Sequence, residues 1–172
     1  MDISNGEGVG EALFVQGCRF ACKNCFNPET WDFNGGKEWT QDTEDKLIEL
    51  ASRPYIKRLS ILGGEPLADE NLDGVLHLVN RFRLSLPNKS IWIYSGYTWE
   101  NIMKYEYGVK YINNFNTDAL RQCVVSKCDV LVDGRYIDSQ RNPSKKWAGS
   151  DNQRVIDIRK SLEQNKIVLH CD

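Results

Sequence analysis

Short apolar runs alternate with amphipathic stretches along most of the chain. Four of the runs are short and reach a glycine within two residues of their end, which is typical of buried strands. They lie at 12–15, 59–62, 91–94 and 129–134. Two later runs, 155–158 and 166–169, are the candidates for the last strands.

Amphipathic stretches with helical spacing separate these strands. The clearest follows Asn71, where the apolar positions Leu72, Val75, Leu76, Val79 and Phe82 recur three or four residues apart. The same reasoning predicts helices capped by Asp42 over 43–52, capped by Asn71, begun by Thr98, and capped by Thr117 over 117–127. Segment 105–116 has a weak pattern and predicts a loop or a broken helix, whereas the polar stretch 141–152 predicts a long functional loop.

Strands alternating with helices of this length predict βαβ units and an α/β fold with a mainly parallel sheet. Right-handed crossovers then place the loops that follow the strands on one edge. A closed barrel of eight such units needs about 250 residues, and this chain has 172. We therefore expect a partial, incomplete TIM-like βα barrel formed by a single domain over residues 1–172.

Composition and charge narrow the class of protein. Hydrophobic residues make up 41% and charged residues 27% of the chain, which excludes a disordered or fibrous protein. The formal charge of −2 argues against a general nucleic-acid binder. No apolar stretch approaches the roughly 18 residues of a membrane span, and the N-terminus lacks the pattern of a signal peptide. These features predict a soluble cytoplasmic protein with neither a membrane nor a nucleic acid as its partner.

Three of the six cysteines fall within eight positions. Cys18, Cys22 and Cys25 form the motif C-x3-C-x2-C directly after the first predicted strand. A secreted disulfide framework would spread its cysteines and carry a signal sequence, so the group indicates a metal site in a reducing compartment. Three thiolates hold three corners of a 4Fe–4S cluster and leave one iron open to bind a small molecule.

A structural zinc site and a ferredoxin-type cluster are the alternative uses of these cysteines. A structural zinc site needs a fourth ligand, for which the candidates are Cys123, Cys128, Cys171, His77 and His170. Zinc loops usually show a second closely spaced pair, and ferredoxin-type clusters a nearby fourth cysteine; this sequence has neither. The spacing therefore favours a cluster with an open iron, and the three remaining cysteines are predicted to be core or incidental thiols.

The motifs together resemble those of a known family. The cysteine motif, followed by Gly63-Gly64-Glu65-Pro66 after the second strand, resembles the radical S-adenosylmethionine enzymes. More narrowly, the chain is similar to the activating proteins of anaerobic ribonucleoside-triphosphate reductase. The segments that carry this narrower resemblance are 5–8, 13–18, 22–27, 92–97, 131–136 and 147–153. Many members of the superfamily have an aromatic residue just before the third cysteine; here Asn24 stands there and Phe26 follows, as in the activating proteins.

The resemblance implies roles for individual residues. Cys18, Cys22 and Cys25 would hold the cluster, whose open iron takes the amino and carboxylate groups of S-adenosylmethionine. The cofactor-binding residues would be Asn24, Cys25, Phe26, Gly63, Gly64, Glu65, Ser95 and Asp133. The glycines would let backbone carbonyls approach the ligand's ammonium group, and Glu65 would brace their turn. Simple alternatives stay open for several of them: turn formation, core packing for Phe26, and capping for Ser95 and Asp133.

The resemblance also implies a reaction. One electron from the reduced cluster would break the S–C5′ bond of S-adenosylmethionine, and the 5′-deoxyadenosyl radical would remove hydrogen from a glycine of the large reductase subunit. A donor such as flavodoxin or ferredoxin would supply the electron. Candidates for the docking face are Arg141, Lys145, Lys146 and Trp147. The alternatives are another compact radical enzyme, such as a pyruvate formate-lyase-type activase or a small-molecule-modifying enzyme, and a non-enzymatic zinc or iron–sulfur module.

Overall fold

The computed structural model describes residues 1–103 and 117–171. The elements within them follow in the order β1 Gly10–Val15, α1 Gln41–Ser52, β2 Arg58–Gly63, α2 Leu72–Ser85, β3 Ser90–Ser95, α3 Trp99–Ile102, α4 Thr117–Ser126, β4 Val130–Asp133, β5 Arg154–Asp157 and α5 Ile158–Gln164. The prediction of a loop or broken helix over 105–116 lies outside the described residues.

The five strands form one sheet in the order β1-β2-β3-β4-β5. The first four strands are parallel, and β5 runs antiparallel to β4. One row of paired residues crosses the whole sheet, through Leu13, Ile61, Ile93, Leu131 and Ile156. The predicted α/β fold with a mainly parallel sheet is confirmed, and within the described residues this sheet is open rather than closed into a barrel.

The two faces of the sheet have different environments. The row through Ile61 packs into the main core, where α1, α2 and α4 contribute residues such as Ala51, Phe82 and Val124. The opposite face carries a smaller cluster of Trp92, Val130, Val132 and Val155, which Trp147 of the long loop covers. Burial on both faces explains why the parallel strands are continuous apolar runs in the sequence.

Helix starts were partly predicted. The prediction that Asp42 caps the first helix is wrong: Thr40 is the N-cap, because its backbone is extended and its side chain accepts a hydrogen bond from the Thr43 N–H. Asp42 lies in the first turn, where its charge suits the helix dipole. Asn71 occupies the N-cap of α2, as predicted, but without a side-chain cap. Thr98 caps α3, and Thr117 is the first described residue of α4.

The C-terminal strands differ from the prediction. The run 155–158 is divided, since β5 ends at Asp157 and Ile158 begins α5. Asp157 caps that helix by accepting a hydrogen bond from the Lys160 N–H, which turns the chain out of the sheet. The prediction of a strand at 166–169 is wrong: this segment runs beside β5 and forms a single antiparallel bridge, between Leu169 and Ile156. The polar loop 141–152 contains neither a helix nor a strand, as expected.

Among the described residues, no helix combines the length and the apolar character needed to cross a membrane.

Candidate metal and cofactor site at the carboxyl edge of the sheet

A cavity of about 590 Å³ opens where the parallel strands end. Gly63 ends β2, Ser95 ends β3 and Gly134 follows β4, and all three line this cavity. Its floor comes from the sheet face that carries the smaller core cluster, through Phe14, Leu62, Tyr94 and Val132. The cavity therefore occupies the edge at which parallel α/β sheets bind ligands.

The cysteine loop forms one wall of the cavity, and Cys18, Cys22 and Cys25 all line it while remaining partly exposed. The loop starts at Gly17, whose φ of +94° favours glycine and whose added Cβ would lie 2.1 Å from the Phe33 ring. Within the loop the backbone takes the left-handed conformation at Ala21 and Asn24, and the Cys25 N–H donates to the Cys22 carbonyl at 3.1 Å. These tight turns bring three cysteines, at most seven positions apart, to one cavity.

Burial disfavours the ionised form of two of these thiols, Cys18 and Cys22. It raises the pKa of Cys18, and the nearby charge of Glu65 adds to the effect. It also raises the pKa of Cys22, as does Cys25, while the Arg135 charge and the Tyr136 backbone N–H oppose the rise. Metal binding therefore has to displace protons from these thiols.

The donor set fits a cluster. Across residues 1–103 and 117–171, no three Cys, His, Asp or Glu side chains converge as ligands of one metal ion. The three thiols line one shared cavity, which fits a 4Fe–4S cluster because each thiolate there would bind a different iron. None of the five candidates for a fourth zinc ligand is among the described residues that line the cavity. Cys128, for example, is buried in the main core.

The glycine pair after β2 packs against the cysteine loop. A Cβ on Gly64 would lie 2.6 Å from the Gly17 carbonyl oxygen and 2.8 Å from that of Thr30. The Gly64 N–H donates to Val15 O and the Glu65 N–H to Gly17 O, both at 2.8 Å. The turn and the cysteine loop are therefore a single packed unit, and only glycine fits between their backbones.

Glu65 connects this unit to the next strand. Its carboxylate is buried and accepts hydrogen bonds from Ser95 Oγ at 2.8 Å, the Gly96 N–H at 2.7 Å and the Leu67 N–H at 2.8 Å. Desolvation nevertheless outweighs these bonds and raises the pKa of Glu65 to about 7. The expected brace is present, and it joins the ends of β2 and β3.

The other predicted cofactor residues differ in their placement. Phe26 lines the cavity with 58% of its surface exposed, and its ring contacts Tyr136 edge to face at 4.9 Å. Asn24 and Asp133 are not among the lining residues; the Asn24 amide donates to Asp138 Oδ2 at 2.9 Å. The Asp133 carboxylate is buried behind the strand, where it accepts from the Trp99 N–H at 2.7 Å and from Arg154 Nε at 3.0 Å.

The sequence reasoning missed several cavity residues. Phe14 and Tyr94 lie on the face of the sheet that carries the smaller core cluster, and both line the cavity. The Tyr94 hydroxyl is buried without a hydrogen-bond partner in the described structure. Alternation along β1 and β3 could have identified them, since every second strand residue shares a face. Of the proposed docking residues, Arg141, Lys145 and Trp147 line the cavity and Lys146 does not, and Trp147 also packs on Trp92 at 4.9 Å.

Comparison with known proteins supports the cluster. Residues 4–156 match the family model described as a 4Fe-4S single cluster domain. Three curated relatives are each named anaerobic ribonucleoside-triphosphate reductase-activating protein. The relative from Vibrio cholerae is 39% identical over 90% of this chain and 92% of its own length. Those from Escherichia coli K12 and Enterobacteria phage T4 are both 36% identical, over 92% and 90% of this chain and over 95% and 87% of their own lengths. No solved structure matches the chain.

Proposed function

Because the chain belongs to the family of anaerobic ribonucleoside-triphosphate reductase-activating proteins, we propose that it generates the glycyl radical of that reductase. The observation that carries the proposal is the cavity at the sheet's carboxyl edge, where three thiols without a fourth protein ligand among the described lining residues face the Gly63–Gly64 turn. When bound there, a 4Fe–4S cluster would supply the electron that cleaves S-adenosylmethionine to methionine and a 5′-deoxyadenosyl radical.

The strand order supports a specific architecture. Strands β1 to β4 lie side by side in chain order without the reversal that marks a doubly wound sheet. Sequential parallel strands with helices on one face are the arrangement of βα barrels. We infer that the single domain, residues 1–172, is an incomplete TIM-like barrel whose interior is the cavity.

The protein's part in the reaction is to position and shield the reactants. Cys18, Cys22 and Cys25 would each bind one iron, and S-adenosylmethionine would lie against Cys25, Phe26, Gly63, Gly64, Glu65 and Ser95. The Gly63–Gly64 turn lines the cavity, where its backbone carbonyl oxygens would accept from the ammonium group. Asn24 and Asp133 would act by holding their neighbours, since their side chains are engaged with Asp138 and Arg154.

The mouth of the cavity suits a polypeptide substrate. Phe14 and Phe26 line the cavity with 46% and 58% of their surface exposed, and the cations Arg135, Arg141 and Lys145 line it too. Exposed aromatic side chains bury large areas on binding, and an open cleft admits a backbone glycine that a closed pocket would exclude. The partner would be the large subunit of anaerobic ribonucleoside-triphosphate reductase, with flavodoxin or ferredoxin as electron donor, in the cytoplasm.

Formation of 5′-deoxyadenosine tests the chemistry. The protein is reconstituted with iron and sulfide without oxygen, reduced, and mixed with S-adenosylmethionine. We expect 5′-deoxyadenosine and methionine in equal amounts, and neither from the Cys22→Ala variant. A reduced protein that holds the cluster but yields no 5′-deoxyadenosine, even with the reductase present, would contradict the proposal.

A further inference from the structure

Segment 134–138 lies across the cysteine loop. The Arg135 guanidinium stacks on the Phe20 ring at 4.2 Å, the Tyr136 ring contacts Phe26 at 4.9 Å, and Asp138 accepts from the Asn24 amide at 2.9 Å. The three partners are the residues that lie between or next to the three cysteines. The segment therefore touches the loop at three points between Phe20 and Phe26.

The same segment is held from behind by the motif at 147–153. The Asn152 amide donates to the Arg135 carbonyl at 2.8 Å, and the Gln153 amide donates to the Gly134 carbonyl at 2.9 Å. Gln153 Oε1 accepts from the Gly149 N–H at 2.8 Å, and Ser150 Oγ accepts from the Ile137 N–H at 3.2 Å. These bonds hold the backbone of segment 134–138 against the cysteine loop. The polar motif at 147–153 therefore serves to position that segment.

Charge distinguishes Arg135 from Arg19, the arginine of the cysteine loop itself. Arg19 stacks on Phe33 at 4.3 Å, but Glu70 pairs with it and neutralises its charge. Among the residues that the structure describes, Arg135 has no such carboxylate partner, and it lines the cavity beside Cys22.

We propose that Arg135, held in place by Asn152 and Gln153, raises the reduction potential of a cluster bound at Cys18, Cys22 and Cys25. The inference rests on the proposed function, because it needs the cluster. Reduction adds one negative charge to the cluster, so a nearby positive charge stabilises the reduced form. Arg135 is a positioning and electrostatic residue here, with no bond to iron.

The test is an EPR-monitored redox titration of the reconstituted protein without S-adenosylmethionine. We expect Arg135→Gln to lower the ratio of reduced to oxidised cluster at a fixed potential about three- to tenfold, where tenfold corresponds to about 59 mV for a one-electron couple. Arg135→Lys keeps the positive charge, so its cluster should have a reduction potential close to that of the wild-type protein. Asn152→Ala, which releases the Arg135 carbonyl, gives a smaller shift in the same direction.

Arg159→Gln is the matched control, since this exposed arginine lines a different cavity, at the opposite edge of the sheet, and its removal leaves the potential unchanged. Iron and sulfide contents distinguish a failure of the proposed function from a failure of the inference about Arg135. A wild-type protein that binds no cluster would overturn the proposed function. A loaded Arg135→Gln protein with the wild-type potential would overturn the inference alone. The same holds if the variant changes only the affinity for S-adenosylmethionine.

Discussion

The Ser95 hydroxyl donates a hydrogen bond of 2.8 Å to the buried carboxylate of Glu65. Ser95 ends β3 and Glu65 follows β2, so the bond joins two neighbouring strand ends directly beneath the cavity. Glu65 is also tied to the cysteine loop through its N–H and the Gly17 carbonyl. The relative position of the cysteine loop and β3 therefore depends on this side chain.

The buried Glu65 predicts a pH-dependent stability. Its folded-state pKa of about 7 lies above the 4.5 of an ordinary glutamate, so between these values the folded protein holds a proton that the unfolded chain releases. The stabilisation is fully present below about pH 4.5 and is lost as the pH rises through 7, in total about 3 kcal/mol. Denaturant unfolding of the cluster-free protein across this range measures it.

Glu65→Gln supplies the control for that titration. Glutamine has the same shape but does not ionise, and its amide group opposes the Gly96 N–H or the Leu67 N–H. We expect the variant to be less stable by about 1–3 kcal/mol at low pH and to lose the slope between pH 4.5 and 7. A wild-type protein whose stability falls no more steeply than that of the variant would contradict the raised pKa.

Substitution of Gly64 by alanine should destabilise the protein through a steric clash. The Gly64→Ala methyl group would meet two backbone carbonyl oxygens within 2.8 Å, neither of which can rotate away. The cysteine loop must then move, so we expect a loss of about 2–4 kcal/mol in unfolding free energy and a lower cluster content. Gly74→Ala is the matched control, because an added Cβ there meets nothing within 4 Å and lies in α2. It should gain up to about 1 kcal/mol. Equal effects of the two substitutions would argue against the packed unit.

The three lining cysteines should be distinguishable from the other three. Cys18→Ala, Cys22→Ala and Cys25→Ala are each expected to reduce cluster content and S-adenosylmethionine cleavage to background, since each removes one iron ligand. Cys123→Ala and Cys171→Ala should retain both. Iron and sulfide analysis after anaerobic reconstitution measures the outcome. If Cys128→Ala folded but lost its cluster, a fourth protein ligand would exist and the open iron would not.

The Asp133 side chain should stabilise the fold rather than contact the cofactor. Asp133→Ala leaves Arg154 and the Trp99 N–H without this acceptor, and we expect a loss of about 2–4 kcal/mol. Glu100→Ala removes the exposed partner of the same arginine and should cost less than about 1 kcal/mol. Thermal unfolding and S-adenosylmethionine binding are measured on both variants. Weak binding by a fully stable Asp133→Ala protein would instead indicate direct contact with the cofactor.

The sequence predicted the strands better than the site's finer geometry. The runs at 59–62 and 91–94 were recognisable because strands buried on both faces are apolar throughout. The antiparallel direction of β5 was not recognisable, because a short apolar run does not show which way its strand points. Its end was not recognisable either, since Asp157 ends the strand by capping α5. The cysteine loop and Gly63–Gly64 could be placed together because both follow adjacent parallel strands. The orientation of Asp133 away from the cavity depends on Arg154, which lies 21 residues further along the chain.

The most direct test of the central claim is EPR of the anaerobic reductase after incubation with this protein, a reductant and S-adenosylmethionine. The reductase is prepared with glycine deuterated at its α-carbon. We predict a glycyl radical on the large subunit and deuterium in the 5′-deoxyadenosine, both absent with the Cys22→Ala variant. Cleavage of S-adenosylmethionine without a radical on the reductase, or with no deuterium transferred, would contradict the account.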